Sequence, residues 1–314
     1  MKKKLLFALL PILVLIALFI PISRQFEVKI KATFFNTYQV LSKSNNWPKW
    51  RSDLRSTWLI DSPKIAMINA RSSFSVMLGE LTLQVTPVNG YSFSVVEQRA
   101  EQEHQYLYTL IPAIDQNYTL ARLDEKVSLY RYLYDLIDGA SSTYAHLIDL
   151  KRFMETPDLY YGFHINKIHV TDTSIVVLSN TVLSKNKFIG AQAILQTLQH
   201  YLGTNQLQQT QPLIAQFLPG RNDSVHLKVG LPVDKKVQTK TPFIFMTMPS
   251  SGYFYTVNFK GRFADRQNAY TAVYRYFKDR NMQVPILPFE TYLDNKLPKS
   301  DTDIVNIRIN FSTF

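Results

Sequence analysis

The sequence contains no cysteine. This excludes disulfide staples, thiolate zinc sites, cysteine-ligated iron–sulfur clusters and a cysteine nucleophile, and it leaves the redox compartment open. Glycine is scarce, at 10 of 314 residues, which speaks against phosphate-cradling loops. No Walker, dinucleotide, H-E-x-x-H or G-x-S-x-G pattern occurs. His104, His146, His200 and His226 are isolated in sequence, and His164 and His169 fall on opposite faces of an expected strand. Neither a metal site nor a cofactor is expected. Charged residues make up only 19% against 46% hydrophobic, so the chain is not a disordered one. The formal charge of +11 invites a nucleic-acid reading. The basic residues are dispersed, however, and no helix-turn-helix or zinc motif is legible, so no nucleic-acid partner is expected. Solubility or a nearby anionic lipid surface accounts for the excess.

Three lysines open the chain, followed by an apolar run from Leu5 to Ile22. As a helix, this run would span ~27 Å, close to a hydrocarbon core of ~30 Å. Its end, Leu18-Phe19-Ile20-Pro21-Ile22, is bulky and lacks the small residues of a peptidase site. It reads as an uncleaved signal anchor rather than a cleaved signal. The lysines ahead of it favour an N-in orientation, with Arg24, Lys29 and Lys31 opposing from the other flank. Residues 1–24 are therefore expected to form one transmembrane helix, with a soluble extracytoplasmic (periplasmic) body behind it. Every later apolar run is short and broken by charge.

Alternation predicts a strand from Phe26 to Lys31, and a short helix follows from Phe34 to Leu41. After the tryptophan-rich stretch Asn45-Asn46-Trp47-Pro48-Lys49-Trp50, the pattern from Trp58 to about Leu136 is mostly strand, with a hairpin turn at Pro87-Val88-Asn89-Gly90. From Ser142, helical spacing places Tyr144, Leu147, Ile148, Leu150 and Met154 on one face, and the helix stops before Thr156-Pro157. Strand, short helix, antiparallel strands and a long terminal helix, together with Ile30-Lys31-Ala32, Asn46-Trp47-Pro48-Lys49-Trp50 and Gly79-Glu80-Leu81-Thr82-Leu83, resemble the SRPBCC (START-like, helix-grip) superfamily over residues 25–155. That resemblance implies a curved sheet gripping the helix around an apolar cavity. Trp47, Trp50 and Trp58 are candidates to border it, or to cap a loop.

Residues 158–314 carry an internal repeat. The first half reads as a strand from Tyr161 to Val170, a helix from Phe188 to Leu202 closed by Gly203, and strands from Leu213 to Leu218 and Val225 to Leu231. The second half reads as a strand from Tyr253 to Phe259, a helix from Arg266 to Arg280, and strands from Leu287 to Leu293 and Ile304 to Phe311. With Val229-Gly230-Leu231-Pro232-Val233 and Phe289-Glu290-Thr291-Tyr292-Leu293, the tandem strand–helix–strand–strand order resembles the GyrI-like small-molecule-binding (effector-binding) domain. The expected class is α+β.

Glu290 is the only glutamate after Glu155, and it sits in an apolar strand. Alternation places it on one face with Pro288 and Tyr292, with Leu287, Phe289, Thr291 and Leu293 on the other. A carboxylate beside an aromatic ring suits an organic cation, and the resemblance implies that this glutamate reaches a pocket. A solvent-facing glutamate on an edge strand is the alternative. The corresponding strand of the first half has Ala215 and Phe217 at these positions, giving one charged and one apolar wall. Tyr161, Tyr253 and Tyr255 are further candidates for the lining or for the core. The function expected is non-catalytic binding of a hydrophobic or cationic small molecule by a membrane-anchored protein. The alternatives are a hydrolase of electrophilic small molecules with Glu290 as general base, and an envelope interaction module with vestigial pockets.

Overall fold

The alternation at Phe26, Val28 and Ile30 forms strand β1 (Pro21–Ile30) in the computed structural model, which describes residues 18–61, 64–100, 102–115, 117–138, 142–169, 174–248 and 252–312. Among the described residues, no helix is long and apolar enough to cross a membrane. The anchor expected over residues 5–22 lies outside the described residues up to position 17. At its end, Pro21 and Ile22 are strand, paired with Ser128 and Val127. The chain divides into two units, Met1–Tyr160 and Tyr161–Phe314.

In the first unit, β1 is followed by helices α1 (Phe34–Leu41), α2 (Trp47–Trp50) and α3 (Ser52–Asp61). Six strands follow: β2 (Ala66–Asn69), β3 (Phe74–Leu78), β4 (Leu81–Pro87), β5 (Ser92–Arg99), β6 (Gln102–Pro112) and β7 (Thr119–Ser128). Helices α4 (Leu129–Asp138), α5 (Ser142–Glu155) and α6 (Pro157–Tyr161) come last. The sheet order is β1-β7-β6-β5-β4-β3-β2, with every pair antiparallel. Thr33 caps α1 by accepting the Asn36 N–H at 3.3 Å. Leu147, Leu150, Phe153 and Met154 of α5 pack into the same core as Val28, Val95 and Leu123 of the sheet.

Two expectations are corrected here. Residues 52–61 and 129–138 are helices, although the pattern from Trp58 to about Leu136 reads as mostly strand. On α5, Tyr144 and Ile148 are exposed, at 42% and 39%, while Thr143 and His146 are buried. Trp47, Trp50, Tyr108 and Phe93 pack together in this core, where the helix-grip resemblance implied an apolar cavity.

The inward face of this sheet changes character along its strands. Phe93 and Val95 give way to Glu97 on β5, Tyr108 and Tyr106 to His104 on β6, and Leu123 to Glu125 on β7. Arg51, fully buried, answers part of this charge. Its guanidinium donates to Asp53 at 2.7 and 3.0 Å, to Glu97 at 3.1 Å and to the Tyr106 hydroxyl at 3.0 Å. Burial alone would raise the Asp53 and Glu97 carboxyls, but Arg51 outweighs it and holds both below the usual carboxylate range. His146 Nε2 stands 3.1 Å from the same guanidinium. Burial, then repulsion by Arg51, depresses its pKa from 6.5 to about 4, against the pull of Glu97, Asp53 and Asp149. The imidazole is therefore neutral, and Nε2 accepts from Arg51.

A histidine that resists protonation when folded binds fewer protons than the unfolded chain does between these two values. Stability should therefore be complete above pH 6.5 and fall as the pH drops toward 4, by roughly 3 kcal/mol. Urea unfolding at stepped pH, compared with His146→Gln, checks this. The variant should lose the extra slope in that window, whatever its absolute stability.

The second unit realises the repeat with one correction. Its first copy is β9 (Ser174–Leu183), α7 (Lys187–Thr204), β10 (Ile214–Pro219) and β11 (Ser224–Val233). The second is β13 (Tyr253–Arg262), α8 (Gln267–Asp279), β14 (Phe289–Tyr292) and β15 (Ile304–Ser312). The expected opening strand from Tyr161 to Val170 is instead β8 (Ile165–His169), an edge strand beside β13, and β12 (Ile244–Thr247) flanks β9 at the other edge. Helix α7 runs through Gly203 to Thr204, with Asn205 as its C-cap. The sheet order, β12-β9-β11-β10-β14-β15-β13-β8, is symmetric about the β10–β14 contact. Both helices pack into one core on one side of the sheet, burying Ala191, Ile194, Leu195, Leu198 and Leu202 of α7 and Ala269, Val273 and Phe277 of α8, with Tyr276 partly buried beside them.

Candidate functional site

Glu290 lies on β14 at the middle of the second sheet and is 1% exposed, so it is not a solvent-facing edge residue. It points to the helix side, where its Cα partner across β10 is Ala215. Arg266 Nε donates to Oε1 at 2.7 Å, the Tyr270 hydroxyl donates to Oε1 at 2.9 Å, and the Tyr292 hydroxyl donates to Oε2 at 2.6 Å. Burial, reinforced by the neighbouring carboxylate, pushes both tyrosines far above their ordinary pKa and keeps them as donors. The Arg266 guanidinium also lies over the Phe263 ring at 3.4 Å and near Phe217 at 5.9 Å. The carboxylate and aromatic faces expected to receive an organic cation therefore receive one from the chain itself. Spacing had given Arg266 only as the start of a helix. Its pairing with Glu290 across 24 positions depends on how α8 lies over β14, which no local pattern reports.

The remaining candidates separate. Phe217 packs on Phe263 at 5.1 Å and belongs to the Arg266 cluster. Tyr161 and Tyr255 gather with Tyr276 toward the C-terminal end of α8, with ring distances of 5.4 and 5.7 Å. Tyr276 follows Tyr270, the hydrogen-bond partner of Glu290, by about 9 Å of helix rise. The Tyr161 hydroxyl donates to Asp279 at 2.9 Å and accepts from Arg280 at 3.2 Å. Tyr253 is 43% exposed, with the Lys167 ammonium 3.9 Å from its ring centre.

The other face of the same strands is open. Phe289 and Thr291 alternate with Glu290 and Tyr292, and with Ile175, Val177, Ile214 and Phe254 they line a groove on the side away from the helices. Its main chamber measures about 420 Å³, and an adjoining cleft about 170 Å³. Gly230 forms part of the floor. A Cβ there would stand 2.9 Å from Ile175 and 3.0 Å from Ile214, so any side chain would push these isoleucines apart. Among the described residues, the charged groups lining the chamber and cleft are Lys228 and Arg308, with His169 beside them and no carboxylate.

In the first unit, Trp47 and Trp50 are buried, at 0% and 2%, with ring centres 5.0 Å apart. Trp47 Nε1 donates to the Leu41 carbonyl at 2.9 Å. Trp50 edges a cleft of about 230 Å³ with Arg55, Asp149 and Arg152. Trp58 lies on α3, and its side chain is outside the described residues. The larger cavity, about 580 Å³, is at the charged end of the sheet interior, lined by Arg24, Glu97, Arg99, His104, Arg131 and His146, among others. Its residues were missed because alternation was followed only through apolar positions. Extending it two residues past Val95 and Leu123 places Glu97 and Glu125 inside.

Removing the charge of Glu290 strands Arg266, whose side chain is 16% exposed. Glu290→Gln should therefore destabilise the second unit by about 2–4 kcal/mol, seen as a lower denaturation midpoint. Arg266→Met with Glu290→Gln should recover part of that loss. A single variant as stable as the parent would refute the pairing.

No family model matches the sequence, and no curated protein matches it. Among solved structures, the EcmrR C-terminal domain is similar at 17% identity, covering 48% of this chain and 96% of its own, with a TM-score of 0.40. EcmrR in a DNA complex aligns at 14% identity, covering 59% of this chain and 76% of that one, also at 0.40. A START superfamily protein from Mycobacterium smegmatis aligns at 13% identity over 42% of this chain and 97% of its own, with a TM-score of 0.29.

Proposed function

We propose that this chain is a non-catalytic binding protein for an apolar small molecule, tethered through its N-terminal apolar run, and that the ligand lies in the groove on the helix-free face of the second sheet. The supporting observation is the groove itself. A chamber of about 420 Å³ falls in the size range of small-molecule sites, it is lined mainly by aliphatic and aromatic side chains, and a glycine keeps its floor open. The charged groups among its described lining residues are cations, which favours an apolar ligand bearing an anionic or acceptor group over a cationic one. The general-base reading fits less well, because both Glu290 oxygens already accept hydrogen bonds from Arg266 and two tyrosines.

The probe 1-anilinonaphthalene-8-sulfonate combines fused apolar rings with one anionic group. It should bind with enhanced fluorescence. Met246→Asp with Leu287→Asp alters two groove residues that are 44% and 59% exposed. Binding should weaken about tenfold or more, with little change in melting temperature. Equal affinity in the double variant rejects the groove as the site.

The cavity of the first unit favours a second ligand class. Among the described residues, Arg99 engages its carboxylates through Nη2 and Arg131 engages Asp135 through Nε, which leaves further N–H groups on each to meet an oxygen-rich anion. Calorimetric titration with citrate should show binding that Arg131→Gln weakens about tenfold and Lys228→Gln leaves unchanged. No heat with the parent chain rejects this reading.

A further inference from the structure

Helix α4 is turned inside out. Its apolar residues Tyr130, Leu133, Tyr134 and Ile137 recur at the spacing that places them on one stripe. They are 59%, 43%, 51% and 88% exposed. The side facing the fold carries Asp135, 6% exposed, which pairs with Arg24 at 2.6 Å and Arg131 at 3.0 Å. These two ion pairs hold the polar side inward, so the helix cannot bury its apolar stripe by rolling without abandoning a buried carboxylate.

The position of the stripe indicates what covers it. The Leu129 N–H, at the start of α4, donates to the Ile20 carbonyl at 3.0 Å. Ile20 and Phe19 are themselves exposed, at 53% and 76%. Immediately before them in sequence is the uncharged run that begins at Leu5. The stripe therefore adjoins the point where a membrane segment would leave the fold. Two of its four residues are tyrosines, a type enriched at membrane–water boundaries, and the exposed Arg131 is on the same helix.

We infer that α4 is an interfacial helix, which lays Tyr130, Leu133, Tyr134 and Ile137 into the headgroup boundary of the lipid bilayer and holds the first unit against the membrane. Ten residues bind a bilayer weakly by themselves. Beside a tether, the contact is intramolecular, and the high effective concentration makes weak affinity sufficient. The inference rests on the N-terminal run being a membrane segment, and the test separates the two.

The absence of cysteine permits single-site labelling. The full chain carrying Ile137→Cys with an NBD fluorophore is reconstituted into phosphatidylethanolamine–phosphatidylglycerol vesicles, alongside Gln84→Cys on the exposed side of β4. The expected result is blue-shifted emission at position 137, quenched by doxyl-labelled lipid and protected from aqueous iodide, with the reverse at position 84. Retention on vesicles with an iodide-accessible label at 137 overturns the stripe alone. A protected label that doxyl lipid does not quench also overturns it, since protein then covers the helix. Loss of the chain from the vesicles overturns both the stripe and the tether.

Discussion

A carboxylate buried on the helix side of the second sheet must find a cation, and Arg266 meets that demand for Glu290 at 2.7 Å. This pair divides the second unit. On the helix side, charge, aromatic face and hydroxyl donors are satisfied among themselves by Arg266, Phe263, Tyr270 and Tyr292. On the other side, the same strands present aliphatic and aromatic groups around an open groove. Because side chains on a strand alternate, Phe289 and Glu290 can be neighbours in sequence and still serve separate compartments.

The first unit handles buried charge in a similar way but with more partners. Arg51 ties two carboxylates, a phenol and a neutral imidazole, while Arg24 pairs with Glu125 and Asp135. Both networks lie at one end of the sheet interior, and the aromatic core fills the other. The pH response of His146 and the fixed orientation of α4 both follow from satisfying buried ions near that end.

The legible parts of the fold were those where one period dominates a segment. Helix α1 and the buried faces of α7 and α8 follow from spacing. So does the alternation that put Glu290 and Tyr292 on the face opposite Phe289. Helix α4 was misread because Tyr130, Tyr132, Tyr134 and Leu136 also alternate, and only the lack of a partner strand beyond Ser128 decides against the sheet. Strand β9 was overlooked because Ile175, Val176, Val177 and Leu178 form an unbroken apolar run. The structure explains it, with Val176 and Leu178 facing the helix-side core and Ile175 and Val177 lining the groove. The partner of Glu290 was not legible, because pairing across 24 positions depends on how α8 lies over β14. The groove could not be read either, since its main chamber is lined from seven strands, β9 to β15, rather than by any local motif.

The symmetric relation of Ala215 to Glu290 bears on how a duplicated fold diverges. The two are Cα partners at the sheet's centre, where facing residues stand about 5 Å apart. Two carboxylates at that point would repel each other in a dry interior, and each would require its own guanidinium. The residue ahead of α7, corresponding to Arg266 ahead of α8, is Asn186. The halves thus differ at both members of the pair together. Acid and base must enter or leave such a core jointly, and the crowded axis has room for only one such couple.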